Sequence, residues 1–149
     1  MVMTKMFTMG FTKKKAADFF NLLIENDVKL VVDIRLNNTS QLAAFAKFPD
    51  IEYFLNKICN IDYIHDKSFS PEESTLSKYK KKFISWEQYE DEFNSTMLSR
   101  SIESYIRDNY SKYDNLCLLC SEAAADQCHR RLVADIFKEQ FNDLEIIHL

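Results

Sequence analysis

The densest cluster of reactive side chains is the segment from residue 120 to 131, which reads CSEAAADQCHRR. Cys120 ends an apolar run that is typical of a strand, and Cys128 falls in the first turn of the helix predicted to follow. Amides at a helix start, together with Arg130, would stabilise a thiolate on Cys128, and Cys120 could face the same amides across the loop. A thiolate beside an imidazole is suited to nucleophilic catalysis. The predicted catalytic residues of this segment are Cys120, Glu122, Cys128 and His129.

Other interpretations of these cysteines are open. Both sulfurs could be small buried packing groups, with the arginines paired to nearby acids. Cys117 and Cys120 have C-x-x-C spacing, but alternate residues of a strand point to opposite faces, so the two sulfurs cannot form a dithiol pair within one strand. A cysteine-phosphatase or rhodanese loop is disfavoured, because nine residues separate Cys120 from Arg130 and no glycine lies between them.

A metal site is a further alternative. Cys120, Cys128 and His129, with Glu122 or His65, are ligand types that zinc accepts. Adjacent residues of one helical turn diverge by about 100°, which would make Cys128 and His129 poor joint ligands for one ion. We therefore predict no metal, and no motif in the sequence assigns a cofactor.

Polar side chains also end the other predicted strands. Asp33 and Arg35 lie at the end of the predicted strand 29–35, and His65 ends the predicted strand 61–65. Since ligands of open parallel sheets bind outside the carboxyl ends of the strands, we expect these residues to share a crevice with the cysteine segment. A buried carboxylate and guanidinium must be paired or used. Asp33 and Arg35 are therefore either part of an ion-pair network, for example between Arg35 and Glu122, or part of a substrate site with Arg130.

Composition restricts the class of protein. The chain has 149 residues, 46% of them hydrophobic, which suits one domain over residues 1–149. A single glycine argues against a glycine-rich phosphate loop, and a net charge of −4 argues against a general nucleic-acid coat protein, so phosphate recognition must be local. No stretch resembles a membrane span or a signal peptide. The four cysteines are then expected to be reduced thiols of a cytoplasmic protein without a membrane partner.

Strand and helix patterns alternate along the chain. Five strands are predicted, in segments 5–9, 29–35, 61–65, 115–120 and 145–149. Capping signals at Ser70 and Ser85 mark helices of an insert from about residue 70 to 109. This pattern predicts a three-layer α/β fold, with a mostly parallel central sheet of about five strands and helices on both faces. Segments 29–35 and 115–120 should lie side by side at its centre, and the insert either caps the site or thickens one face.

Several segments, spread from one end of the chain to the other, resemble the prokaryotic family catalogued as domain of unknown function 488. They are TMGF (8–11), VVDIRLN (31–37), SQLAAF (40–45), IDYIH (61–65), LLCSE (118–122), CHRR (128–131) and IHL (147–149). The resemblance implies a cytosolic α/β domain and no particular activity. Its segments include Ser40, which joins Asp33, Arg35 and Arg130 as a candidate substrate-binding residue.

The function predicted from these residues is an enzyme that acts on a small anionic or nucleotide-like substrate. Arg35 and Arg130 would hold the anion with the help of a helix start. A cysteine of the 120–131 segment would supply the thiol, and His129 or His65 the acid or base. The alternatives are a non-catalytic module that binds a nucleotide or a nucleic-acid end, and a structural or partner-binding domain whose polar cluster braces the sheet. An activated thiol would distinguish the enzyme from the other two.

Overall fold

A five-stranded parallel sheet forms the centre of the protein in the computed structural model, which describes residues 3–39, 43–122, 125 and 127–149. The strands are β1 (Lys5–Gly10), β2 (Leu30–Asp33), β3 (Asp62–His65), β4 (Leu116–Cys120) and β5 (Glu145–His148). They lie in the order β3-β2-β4-β1-β5, and all neighbours run parallel. The predicted α/β class and the parallel sheet are confirmed.

The two most apolar strands are neighbours, as predicted. β2 and β4 pair with Val32 opposite Leu118, and every residue of both strands is buried. A strand covered on both faces needs apolar side chains on both, which explains the continuous apolar runs. β1 lies on the other side of β4 and places Gly10 opposite Cys120. The carboxyl ends of β1, β2 and β4 therefore meet at one edge of the sheet.

Helices cover both faces of the sheet, which confirms the three layers. They are α1 (Ala16–Glu25), α2 (Asp50–Tyr53), α3 (Glu73–Lys80), α4 (Trp86–Ser99), α5 (Ile102–Tyr110) and α6 (His129–Gln140), with a π-helical continuation of α2 at Phe54–Cys59 and 3₁₀ helices at Ala44–Ala46 and Lys67–Phe69. α1 and α2 pack with Val31 and Leu119 on one face, whereas α4, α5 and α6 pack with Val32 and Leu118 on the other. None of the helices in this described part of the chain is long and apolar enough to cross a membrane.

The predicted helical insert consists of α3, α4 and α5. α4 begins at the predicted capping box, where Oγ of Ser85 accepts from the N–H of Gln88 and the Gln88 side chain accepts from the N–H of Ser85. α4 and α5 bury Phe93 and Ile106 in the core that they share with α6, so the insert thickens one face of the sheet. α3 and the first turns of α4 also wall a cavity that contains Cys120. The insert therefore thickens one face of the sheet and also contributes one wall of this cavity.

Candidate active site

The chain turns sharply after β4 and passes over the end of β1 at Gly10. A Cβ atom there would lie 1.5 Å from the carbonyl oxygen of Glu122 and 2.6 Å from Nη1 of Arg130, so only glycine fits. Arg130 holds this turn, because its Nη1 donates to the carbonyl oxygen of Glu122 and its Nε donates to Oγ1 of Thr8 at 3.2 Å. The position of Cys120 is therefore set by a glycine under the turn and a buried guanidinium beside it.

Two sulfurs are in contact where this turn meets α6. Cys120 is the last residue of β4, Cys128 directly precedes α6, and their Sγ atoms are 3.0 Å apart. Cys128 has an extended backbone (φ −138°, ψ 140°). The prediction that it lies in the first helical turn is therefore wrong, because the helix begins one residue later. Nδ1 of His129 lies 3.5 Å from Sγ of Cys120, so the structure brings together three of the predicted catalytic side chains.

Hydrogen bonds make Cys120, not Cys128, the favoured thiolate. The S–H of Cys128 donates to Sγ of Cys120, and this hydrogen bond lowers the pKa of Cys120 against the opposing effect of burial. The N–H groups of Ser121 and Glu122 and the charge of Arg130 lower that pKa further. The same S–H···S bond, together with burial, raises the pKa of the Cys128 thiol. These contacts favour a thiolate on Cys120 over the predicted thiolate on Cys128, because the amides and Arg130 stabilise the sulfur of Cys120.

The hydrogen bonds of His129 decide which ring nitrogen faces the sulfur. Nε2 lies 2.8 Å from the carbonyl oxygen of Ile34, which can only accept, so Nε2 carries a hydrogen. In the neutral ring Nδ1 then has the lone pair and can take the proton of Cys120, and in the imidazolium it donates to the thiolate. The ring also packs on Phe93, with 5.7 Å between centroids. His129 is thus oriented as an acid–base group for Cys120.

The same three atoms are donors that a soft metal ion such as zinc accepts. Sγ of Cys120, Sγ of Cys128 and Nδ1 of His129 all lie within 4.8 Å of one another. The expected divergence of Cys128 and His129 does not occur, because Cys128 stands outside the helix. Two sulfurs on a tetrahedral zinc with bonds of about 2.3 Å would be ~3.8 Å apart. The observed 3.0 Å separation is shorter and fits a hydrogen-bonded thiol–thiolate pair, so the sulfurs would have to separate to admit an ion.

Asp33 and Arg35 form a closed ion pair beside the thiols. Nε and Nη2 of Arg35 donate to the two carboxylate oxygens at 2.8 and 2.7 Å, and both side chains are buried. Nη2 also donates to the carbonyl oxygen of Ala46, and the hydroxyl of Tyr63 donates to Asp33 at 2.6 Å. The ion pair suggested between Arg35 and Glu122 is wrong: the partner is Asp33, whose side chain is on the same side of the extended chain two residues earlier.

A cavity of about 830 Å³ adjoins the sulfur pair. Cys120, Cys128 and His129 line it, with Arg35 and Glu122 also facing it. Small-molecule sites typically have volumes of about 300–1,000 Å³, so this cavity has a suitable size. A second cavity of about 610 Å³ lies among α4, α5 and α6, but none of the described residues that line it is a cysteine or a histidine. The cavity beside the thiols is therefore the candidate active site.

Some predicted site residues lie behind this cavity. Asp33 supports Arg35, and Arg130 is 1% exposed and braces the turn after β4; neither is among the described lining residues. His65 ends β3 with Nε2 2.7 Å from the carbonyl oxygen of Arg35, and it too lies outside the described lining. The remaining predicted residue, Ser40, is outside the part of the chain that the structure describes.

The insert supplies lining residues that the sequence analysis did not assign to the site. They are Pro71, Leu76, Tyr79, Lys80, Lys82, Ile84, Ser85, Trp86 and Tyr89. Ser85 belongs to the predicted capping box, which marks the start of α4 but not its position over the site. The lysines lie in a basic run that, in sequence, is indistinguishable from a solvated loop.

The fold and site define a class: three-layer α/β proteins with a thiol group at the carboxyl ends of a parallel sheet. The family model described as domain of unknown function DUF488 matches residues 15–137, and the chain belongs to this family. The matched range contains segment 118–122 and segment 128–131, so both cysteines of the site fall inside it. None of the curated proteins and none of the solved structures matches the chain significantly.

Proposed function

We propose that the protein is an enzyme that acts on a small anionic substrate, with Cys120 as its nucleophile. One observation carries this proposal: Sγ of Cys120 lies 3.0 Å from Sγ of Cys128 and 3.5 Å from Nδ1 of His129, beside a cavity of substrate size. A cysteine reacts as its thiolate, which needs donors and an acid–base partner. The free thiols would be maintained in a reducing compartment such as the cytoplasm.

The surrounding groups have separate roles in this chemistry. Nδ1 of His129 takes the thiol proton and returns it to the leaving group, while Cys120 forms a bond to the electrophilic atom of the substrate. The S–H of Cys128 holds the thiolate before attack. Glu122 is exposed at the cavity and would act as a second acid or base. Cys117, by contrast, is fully buried, its pKa is raised to about 12 by burial, and its role is packing.

Positive charge supports an anionic substrate. Arg35, Lys80 and Lys82 line the cavity of a chain whose net charge is −4. Since Asp33 occupies Nε and Nη2 of Arg35, the two lysines supply the more accessible charge. Arg130 acts from behind, where its charge favours the Cys120 thiolate. Anion binding is therefore assigned mainly to the lysines and only in part to the two arginines.

Two alkylating reagents of opposite character test the proposal. Iodoacetate is anionic and iodoacetamide is neutral. Because the cavity favours anions, the rate with iodoacetate relative to the rate with iodoacetamide should be higher at Cys120 than for a small free thiol. Lys80→Gln with Lys82→Gln should lower this ratio, whereas Lys81→Gln, an exposed neighbour outside the cavity lining, should not. Mass spectrometry assigns the labelled residue. An unreactive Cys120 would overturn the proposal and favour a non-catalytic binding module.

A further inference from the structure

The insert presents an aromatic wall to the cavity, formed by Tyr79, Trp86 and Tyr89. The rings of Trp86 and Tyr89 are stacked, with 5.0 Å between centroids and an interplanar angle of 19°. Tyr79 completes the wall, 5.6 Å from Trp86 and 5.0 Å from Tyr89. Tyr89 is buried, but Trp86 and Tyr79 keep part of their surface exposed. A partly exposed indole in a cavity is a surface suited to a flat apolar ligand.

The wall continues to the reaction centre as a column of rings. Tyr89 stacks on Phe93, with 6.2 Å between centroids and an angle of 14°, and Phe93 contacts the imidazole of His129. These side chains recur along one face of α4, at positions 86, 89 and 93. A ligand against Trp86 would therefore be held at a fixed distance from the thiols, because one rigid helix face connects the two.

Two lysines stand beside the aromatic wall. Lys80 and Lys82 line the same cavity, and neither forms a salt bridge with the residues that the structure describes. Lys78 differs, because its ammonium group is 2.8 Å from a carboxylate oxygen of Glu92. Aromatic surface interleaved with accessible cations is the arrangement that binds a stacked base and its phosphate. An inorganic anion would leave the rings unused, and an apolar ligand would leave the lysines unused.

We propose that this wall is a nucleobase subsite, so that the anionic substrate is a nucleotide: the base stacks on Trp86 and contacts Tyr79, and the phosphate faces Lys80 and Lys82. This inference rests on the proposed function for the position of the reacting atom, beside Cys120. The ligand that this subsite fits is a nucleobase attached to a phosphate group. Its source is either a free nucleotide or the end of a nucleic-acid strand, and the experiment separates the two.

The single tryptophan of the chain makes the test direct, since Trp86 reports on its own subsite. Intrinsic fluorescence is followed during titration with adenosine monophosphate, uridine monophosphate, adenosine, inorganic phosphate and a short single-stranded oligonucleotide. We expect saturable quenching by a nucleotide and binding about tenfold weaker for adenosine, because one charge-assisted contact is lost. Tighter binding of the oligonucleotide, weakened by salt, would indicate a strand end, and tighter binding of a monophosphate a free nucleotide.

Matched variants, measured by calorimetry, separate the two halves of the subsite. Trp86→Leu and Tyr79→Leu should weaken nucleotide and adenosine alike, by up to about tenfold, as loss of aromatic contact predicts. Lys80→Gln with Lys82→Gln should weaken the nucleotide but not adenosine. Phe83→Ala, a 74% exposed ring outside the cavity lining, and Lys81→Gln are controls that should change neither.

Two results would overturn the inference. One is the absence of saturable quenching by either monophosphate and by the oligonucleotide; the other is equal binding of inorganic phosphate and nucleotide. Alkylation of Cys120 in the same samples keeps the two proposals apart. A reactive Cys120 without nucleotide binding would refute only the nucleobase subsite, whereas nucleotide binding beside an inert Cys120 would refute only the proposed enzyme.

Discussion

Nε2 of His129, the first residue of α6, donates to the carbonyl oxygen of Ile34, which directly follows β2, over 2.8 Å. The same carbonyl oxygen accepts from Oγ of Ser70 at 3.0 Å, just before the helical insert. The carbonyl oxygen of Ile34 therefore anchors both the imidazole of His129 and the start of the helical insert, which forms one wall of the cavity. The orientation of the imidazole is therefore fixed by a hydrogen bond to the end of β2 rather than by the segment between the two cysteines.

Replacing this imidazole should slow the thiol without unfolding the protein. His129→Phe keeps a ring against Phe93 but removes the proton acceptor, so alkylation of Cys120 at neutral pH should fall. The carbonyl of Ile34 keeps its bond from Ser70, so the free energy of unfolding should fall by only about 1 kcal/mol. His65→Phe distinguishes the two histidines suggested by the sequence. A larger loss of reactivity in His65→Phe would contradict the assignment of His129.

The ion pair beside the site should contribute more to stability than its hydrogen-bonded neighbour. Asp33→Asn leaves the buried guanidinium of Arg35 without its carboxylate, and the expected loss is about 3–5 kcal/mol in the free energy of unfolding. Tyr63→Phe removes two neutral-donor hydrogen bonds, the one that its hydroxyl donates to Asp33 and the one that it accepts from Nδ2 of Asn38, and the expected loss is about 2 kcal/mol. Urea denaturation measures both. Equal losses would show that the carboxylate is not needed to compensate Arg35.

The glycine beneath the turn after β4 should not tolerate a side chain. Gly10→Ala places Cβ 1.5 Å from the carbonyl oxygen of Glu122, so the turn must move. Overpacking of this kind costs about 1–3 kcal/mol, and the displaced amides of Ser121 and Glu122 should also leave the Cys120 thiolate less stable. We expect a lower midpoint of thermal unfolding together with slower alkylation. An unchanged midpoint would contradict the close approach of the two segments.

The contact of the two sulfurs predicts selective oxidation. Hydrogen peroxide should convert the Cys120 thiolate to a sulfenic acid, and the thiol of Cys128 should then displace water to form a disulfide. Two of the four free thiols should be lost, and dithiothreitol should restore them. Cys128→Ser should stop at the sulfenic acid, which dimedone traps. A disulfide that involved Cys59 or Cys117 would contradict the geometry.

Much of the fold was predictable, because continuous short apolar runs such as segments 29–35 and 115–120 are typical of strands covered on both faces. The grouping of Cys120 with Cys128 and His129 was also predictable, since strand ends and the next helix start lie together in a parallel sheet. The preference for a thiolate on Cys120 over one on Cys128 was not predictable. It depends on helix α6 beginning at His129, which leaves Cys128 extended and makes it the hydrogen-bond donor.

The partners of the buried charges and the aromatic wall were equally hidden. Arg35 is held by Asp33 because both leave the extended chain on one side, whereas a link to Glu122 across the turn was just as compatible with the sequence. Trp86 looks in sequence like one more residue of an apolar helix stripe. Its position in the cavity depends on how the insert packs against α6. Sequence patterns do not specify this tertiary packing.

The pH dependence of alkylation at Cys120 tests the central claim most directly. Because the folded protein lowers the pKa of Cys120, the rate should reach half its maximum below the ~8.5 of a free thiol and fall only at lower pH. Cys128→Ala removes the S–H donor and should move the midpoint up, whereas Cys128→Ser keeps a donor and should not. Mass spectrometry must place the label on Cys120. A midpoint at or above that of a free thiol, or a label on Cys128, would contradict the assignment of Cys120 as the nucleophile.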